Sequence, residues 1–293
     1  MPQRRGALPI SDAEVVNCPD TYARGVPYDC LDRLRTRTPV VWLDGRFADE
    51  PGSWAVLRYT DVRRALSRPE LFTPVPWESL HGPRPDPPDA DAESTAMLID
   101  MDPPARALLG RVRRTGADLV TDVLHEMPET LRNTVAGGVH ALLRNPDQYA
   151  KLRAGHGDEA LIDSAVEEML RWWTPVTQIR RLVRRDTTMG GVPLLAGEQI
   201  ALWLTAANHD ADVYTQPGRF LPERFTADTP RHLAFGHGVR GCLGGVLARV
   251  HLRAMLAAIL ERPGRLEPAG EPVLTRSTAR RGFDRLPVRW RDD

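Results

Sequence analysis

One cysteine lies in a loop with four glycines, and this loop constrains the fold more than any other part of the sequence. The run from Phe235 to Gly244 is FGHGVRGCLG, and Cys242 lies near its end. Glycines adopt backbone conformations that other residues avoid, so the loop can approach the sulfur closely. An apolar helix is predicted from Leu247 to Glu261, and its N-terminal dipole favours a negative charge on Cys242. The pattern predicts a thiolate that binds a metal, and the alternative is a structural cysteine beside a turn.

The composition excludes several classes of protein. The 39 Lys and Arg residues balance 39 Asp and Glu residues, which argues against a nucleic-acid-binding protein. Three scattered cysteines do not suggest a disulfide framework, so a reducing compartment is expected. No apolar stretch is long enough to cross a bilayer, which needs about 18 residues or more. These features predict a cytoplasmic protein that binds neither nucleic acid nor a membrane.

Apolar spacing and helix-ending residues predict a mainly α-helical chain with a small β-sheet near the N-terminus. Thr60 is expected to cap one helix, and the six prolines between Pro74 and Pro88 predict a loop. The predicted helices cover residues 29–37, 61–66, 105–127, 129–144 and 160–173. The predicted strands cover residues 40–43, 54–57 and 200–204, with further short strands between 272 and 290.

A second motif places Glu168 three residues before Arg171 on a predicted helix. This spacing puts both side chains on one face, close enough for a charge-assisted pair. Such a pair is by itself most often a solvated surface ion pair. Here Arg224, in the run FLPERF at 220–225, lies between the pair and the cysteine loop.

These three motifs together resemble those of the cytochromes P-450, over residues 20 to 104 and 129 to 290. The resemblance implies a heme b whose iron is bound by Cys242, with Phe235 and Gly244 beside it. It implies that Glu168, Arg171 and Arg224 form a cluster that supports the cysteine loop. The implied fold is mainly α with a small β-sheet, a truncated cytochrome P-450 fold.

The resemblance also implies which residues bind the heme propionates. Arg181, His232 and Arg240 match positions that contact propionates in the family. Arg106 stands where the family usually has a histidine with the same role.

An acid followed by an alcohol is the family's device for delivering protons to oxygen, and Glu129 and Thr130 resemble it. The resemblance therefore implies that both are catalytic. An alternative exists, because Pro128 followed by an acidic residue is also ordinary helix-start chemistry.

The largest departure from the family is a shortened connection. Only 24 residues separate Pro104 from Glu129, so on the order of a hundred residues of the usual substrate roof are missing. As one helix, this segment would span ~36 Å and cross the distal side. We expect a single heme-binding domain over 1–293, with the N-terminal sheet and first helices at 20–104, the connection at 105–128 and the heme core at 129–290.

An open distal side predicts either a homo-oligomer that covers it or a substrate presented by a carrier protein. Three functions remain open. The first is a heme-thiolate monooxygenase that oxidises a steroid, terpenoid or other secondary metabolite with O2, using NAD(P)H electrons from a ferredoxin-type redox partner. The second is a heme-thiolate peroxygenase, dehydratase or cyclase. The third is a degenerate, non-catalytic helper, against which the retained cysteine loop argues.

Overall fold

Helices form most of the regular structure in this computed structural model, which describes residues 11–45, 52–74 and 109–292. The helices are α1 (Asp12–Asn17), α2 (Pro19–Tyr22), α3 (Tyr28–Arg37), α4 (Tyr59–Leu66), α5 (Glu129–Arg144), α6 (Pro146–Ala154), α7 (Glu159–Trp173), α8 (Leu204–Asn208) and α9 (Gly245–Glu261). A π-helical segment covers Leu119–Val123, and a 3-10 turn covers Gly238–Arg240. No helix in the described ranges is long and apolar enough to cross a membrane.

Twelve short strands complete the described structure. They are β1 (Val40–Leu43), β2 (Ser53–Val56), β3 (Phe72–Pro74), β4 (Ala117–Asp118), β5 (Ile179–Val183), β6 (Thr187–Met189), β7 (Val192–Leu194), β8 (Gln199–Leu202), β9 (Arg265–Pro268), β10 (Val273–Leu274), β11 (Phe283–Arg285) and β12 (Pro287–Arg291). The largest sheet has the order β1-β2-β8-β5-β3. It therefore joins N-terminal strands to strands from the middle of the chain, and the hairpin of β1 and β2 is confirmed.

Local sequence signals explain where the central helices begin and end. The side chain of Asp158 accepts hydrogen bonds from the first backbone amides of α7, and Thr174 ends that helix with a φ of 48°. Asn145 and Pro146 separate α5 from α6, because proline cannot continue the preceding helix. The predicted bounds of α5 are confirmed, and α7 begins one residue before its prediction.

The predicted helix over 105–127 is wrong in its described part. Gly116 has a φ of +102°, a conformation that interrupts a helix, and β4 follows it and pairs with β12. The side chain of Asp118 then caps the amides of Val120 and Thr121 at the start of the π-helical segment. The connection therefore joins the C-terminal sheet instead of forming one straight helix.

Two smaller predictions also change. Thr60 does not cap its helix, because α4 already begins at Tyr59 with Arg58 in the capping position. The strand predicted at 200–204 ends at Leu202, and Leu204 begins α8. The predicted loop at 74–88 lies outside the described residues beyond Pro74.

The main core lies where α5, α7 and α9 meet, and a glycine permits the closest contact. A Cβ at Gly137 of α5 would overlap the indole ring of Trp173 on α7. A Cβ at the neighbouring Gly138 would lie 2.9 Å from the sulfur of Met169, also on α7. Because α5 and α7 approach this closely, both helices are fixed relative to the cysteine loop that follows them.

We expect Gly137→Ala to lower the free energy of unfolding. Alanine favours a helix over glycine by roughly 1 kcal/mol, but overpacking this contact costs about 1–3 kcal/mol or more. Denaturant-induced unfolding measures the difference. Gly157→Ala is the control, because nothing lies within 4 Å of its Cβ position. A Gly137→Ala protein as stable as the wild type would contradict the close helix contact.

Candidate functional site

A cavity of about 430 Å³ lies between the start of α5 and the cysteine loop. This volume is in the range typical of pockets for small molecules and cofactors. On one side, Thr130, Leu131 and Thr134 of α5 form the wall. On the other side, Phe235 and Cys242 belong to the wall. The remaining lining residues are Pro128, Pro175, Val176, Ile179, Arg181, Leu204, Ala234, Gly236, Arg240, Gly244, Leu247 and Ala248.

The cysteine loop is held by its own backbone. The amide of Cys242 donates to the carbonyl oxygen of Phe235 at 2.8 Å, which closes the loop around the sulfur. Gly236 and Gly238 have φ values of 74° and 73°, a region that strains other residues. Cys242 is exposed, whereas Cys18 and Cys30 are only partly so. A free thiol is thus available at the cavity wall, directly before α9.

Two arginines give the cavity wall a positive charge. Burial and the nearby charge of Arg240 lower the pKa of the Arg181 guanidinium. Within the described residues, neither arginine forms a salt bridge with a carboxylate, and the Arg181 guanidinium donates to the backbone oxygen of Arg180. Two neighbouring cations with no carboxylate partner in this part of the chain favour binding of a negatively charged group here.

The structure brings together Glu168, Arg171 and Arg224, which the sequence had placed in one cluster. Glu168 and Arg171 are fully buried, and Arg171 donates to both carboxylate oxygens at 2.7 and 2.8 Å. Arg224 donates to the same carboxylate at 3.0 Å, and so does the amide of Leu221 at 2.9 Å. The carboxylate is therefore compensated by two charges and a backbone donor.

This cluster reaches the cysteine loop through a fourth residue, which sequence reasoning missed. Arg171 donates to the backbone oxygen of Asn208 at 2.8 Å. The side chain of Asn208 accepts a bond of 2.7 Å from the amide of Leu233, just before the loop. Its amide group also donates to Thr174 at the end of α7. Nothing in the local sequence around Asn208 indicates this link, because it depends on tertiary packing.

His232 lies beside the cavity and not on its wall. This histidine is 5% exposed and is not among the residues that line the cavity. Its Nδ1 accepts from the amide of Ala234, and its Nε2 lies 3.2 Å from a carboxylate oxygen of Glu167. Its predicted contact with a propionate stays a prediction.

The structure also separates the two residues of the predicted acid–alcohol pair. Thr130 lines the cavity, but the carboxylate of Glu129 lies at the surface and pairs with Arg280. Consecutive helical side chains differ by about 100° in direction, so adjacent residues at the start of α5 face different surroundings. Thr134, one turn beyond Thr130, lies on the cavity side and donates to the carbonyl oxygen of Thr130 at 2.7 Å. The spacing of four residues between Thr130 and Thr134 could have indicated from the sequence that Thr134 shares this side of the helix.

Phe235, Arg240 and Gly244 lie on the cavity wall beside Cys242, as their assignment to a cofactor site requires. Arg106 lies outside the described residues. The sequence did not indicate Glu167 or Arg249, which form a second ion pair between α7 and α9.

Comparison with known proteins identifies the class. The cytochrome P450 family model matches residues 116–272, and the chain belongs to this family. Cytochrome P450 126 of Mycobacterium tuberculosis is 38% identical over 163 residues, which cover 56% of this chain and 38% of that protein. A steroid C26-monooxygenase of the same species is 39% identical over 163 residues, covering 55% of this chain and 42% of that protein. The chain thus spans about two fifths of the length of the curated relatives it matches.

Solved structures show the same fold. Cytochrome P450-153 from Novosphingobium aromaticivorans superimposes with a TM-score of 0.81 at 21% identity, over 96% of this chain and 100% of that chain. The predicted membership of the cytochrome P-450 superfamily and the predicted mainly α fold with small sheets are both confirmed.

The cofactor implied by this family is a heme, and the cavity fits one. It combines an exposed thiol, apolar walls and two cations without a carboxylate partner. Thiolate sulfur is an axial ligand of heme iron, and the two propionates of heme are anions that the arginines can bind. Cys242, Arg181 and Arg240 are therefore the residues that would hold it.

We expect Glu168→Gln to destabilise the protein strongly, because the fully buried Arg171 would lose its charge partner. Breaking a buried ion pair from one side costs about 3–5 kcal/mol. Denaturant unfolding measures the loss. The control is Glu159→Gln on the same helix, whose side chain is 86% exposed and 3.6 Å from Arg253. Equal losses in the two variants would show that the cluster at Glu168 has no special role.

Proposed function

We propose that this chain is a heme-thiolate monooxygenase that inserts oxygen into a small organic molecule. The observation that carries the proposal is one cavity lined by a free cysteine, by two arginines without a carboxylate partner among the described residues, and by Thr130 and Thr134 of α5. When bound, heme iron with a thiolate ligand supplies the activation of dioxygen.

Each group on the cavity wall has a separate role in this proposal. Cys242 would bind the iron through its thiolate, and the ring of Phe235 would form an apolar wall beside it. Arg181 and Arg240 would bind the propionates and orient the heme. Thr130 and Thr134 present hydroxyl groups on the opposite side. The hydroxyl of Thr134 is held by the Thr130 carbonyl oxygen, so its position is defined before any substrate binds.

The substrate class is proposed from the relatives and from the wall. One relative is named a steroid C26-monooxygenase, and a second, from Streptomyces venezuelae, is named cytochrome P450 monooxygenase PikC. Leu131, Val176 and Ile179 make the described wall largely apolar. We therefore propose a steroid, terpenoid or similar secondary metabolite as the substrate.

The electron donor is proposed to be a ferredoxin-type protein that receives its electrons from NAD(P)H. Three apolar side chains near Cys242, those of Val239, Leu243 and Val246, are 75% exposed or more. The cationic side chain of Arg240 lies among them in the chain. Apolar contacts beside positive charge suit an acidic electron carrier.

A second candidate is a heme-thiolate peroxygenase. The specific observation in its favour is Glu129, whose carboxylate pairs with Arg280 at the surface and does not line the cavity. Peroxide already carries its protons and electrons, so chemistry with peroxide does not need a dedicated acid.

The electron source distinguishes the two candidates. We expect the heme-loaded protein to convert a steroid or terpenoid with reduced ferredoxin in air, because the proposal requires electrons from a partner. Product formation is measured with reduced ferredoxin and, separately, with peroxide alone. Turnover with peroxide but not with ferredoxin would favour the peroxygenase and contradict the monooxygenase.

We expect the double variant Arg181→Gln, Arg240→Gln to bind heme at least about a hundredfold more weakly, because each of the two lost charge-assisted hydrogen bonds contributes roughly 1.5–3 kcal/mol. Transfer of heme to an excess of apomyoglobin measures the affinity. Arg184→Gln is the control, since Arg184 is exposed just beyond β5 and does not line the cavity. Unchanged heme affinity in the double variant would remove both arginines from the proposed site.

A further inference from the structure

The carboxylate of Glu167 lies close to residues at both ends of the loop that carries Cys242. This residue precedes Glu168 on α7, but its side chain takes different partners. Arg249 of α9 donates to both of its oxygens, at 2.5 and 2.8 Å. His232, at the start of the loop segment, lies 3.2 Å away through Nε2. Burial alone would raise the pKa of Glu167, but the bonds from Arg249 and His232 outweigh it and lower the pKa to about 2.

Arg249 also contacts Phe235 and Gly245, which lie on either side of Cys242 in the chain. Its guanidinium lies 4.7 Å from the centre of the Phe235 ring, the residue whose carbonyl oxygen accepts from the Cys242 amide. It also donates to the carbonyl oxygen of Gly245, the first residue of α9, at 3.1 Å. Gly245 packs so closely that a Cβ there would lie 3.3 Å from the Phe235 ring.

His232 restrains the other end of the loop. Its Nδ1 accepts from the amide of Ala234 at 3.2 Å, which leaves Nε2 to face Glu167. Its ring lies 5.8 Å from those of Phe225 and Phe235. The histidine is thus hydrogen-bonded at Nδ1, close to Glu167 at Nε2, and packed near two aromatic rings.

We propose that Glu167 is a positioning residue for the axial cysteine, acting through Arg249 and His232. Glu167 does not line the cavity, and it sets where the loop from His232 to Gly245 lies relative to α7. This inference rests on the proposed function in one respect, the assignment of Cys242 as the ligand of the iron. The Glu168 cluster, by contrast, contacts residues 208–224 and reaches the loop through Asn208.

A matched control exists one helical turn away. Asp163 on α7 pairs with Arg253 on α9, so this pair joins the same two helices four residues from Glu167 and Arg249. Asp163 is 66% exposed, and no hydrogen bond or ion pair joins it to the described residues of the loop. Asp163→Asn therefore removes an interhelical ion pair without releasing Cys242, whereas Glu167→Gln removes the pair that holds the loop.

The test measures two properties of the heme-loaded protein. Amide hydrogen exchange of the peptide covering residues 232–245 reports the loop itself. The reduced, carbon-monoxide-bound spectrum reports whether sulfur remains the axial ligand. We expect Glu167→Gln to give about tenfold faster exchange in this peptide and a partial shift from the long- to the short-wavelength Soret band, because the charge-assisted bonds from Arg249 and the attraction at His232 are weakened. Asp163→Asn should change neither property.

A second variant keeps the test decisive if Glu167→Gln does not fold. Arg249→Lys retains the charge but cannot form two parallel bonds, so it should give the same two changes with a smaller amplitude. Equal exchange and equal spectra in the Glu167, Arg249 and Asp163 variants would overturn the inference. A wild type without the long-wavelength band would instead contradict the proposed function, and the exchange rates would still decide the role of Glu167.

Discussion

A fully buried carboxylate at Glu168 is the constraint on which the remaining structure depends. A buried charge without partners is costly, so the chain has to bring compensating groups to it. Arg171 comes from the same helix, but Arg224 and the amide of Leu221 come from more than fifty residues away. Satisfying this one group therefore fixes the irregular segment before the cysteine loop against α7. The carboxylate of the neighbouring Glu167, through Arg249 and His232, restrains the cysteine loop and α9 against α7.

The two sides of the cavity are determined to different degrees. On the cysteine side, backbone bonds, two ion pairs and a close contact at Gly245 restrain the loop. On the opposite side, the described wall consists mainly of one face at the start of α5. The exposed large apolar side chains of the described residues also concentrate near the cysteine, at Val239, Leu243, Val246 and Val250. A homo-oligomer that covers the distal side and a carrier-bound substrate stay predictions.

The sequence predicted the features that depend on neighbouring residues in the chain. Prolines and apolar spacing placed α5 and α7, and motif spacing, through the family resemblance, indicated Cys242 and the Glu168 cluster. The sequence did not predict features that depend on contacts between residues far apart in the chain. Continuous apolar spacing over 105–127 suggested a helix, yet pairing of β4 with β12 draws this segment into the C-terminal sheet. The proximity of His232 to Glu167, at 3.2 Å, also depends on residues far apart in the chain. Asn208 and Arg249 carried no local signal, because their roles exist only in the folded chain.

The reduced, carbon-monoxide-bound absorption spectrum of the heme-loaded protein tests the central claim, that Cys242 and its supporting residues form a thiolate site for iron. The account predicts a long-wavelength Soret band, and its loss in Cys242→Ser with the helical circular dichroism retained. Failure to bind heme, or the short-wavelength band alone in the wild type, would contradict the claim. Such a result would favour a degenerate, non-catalytic member of the family.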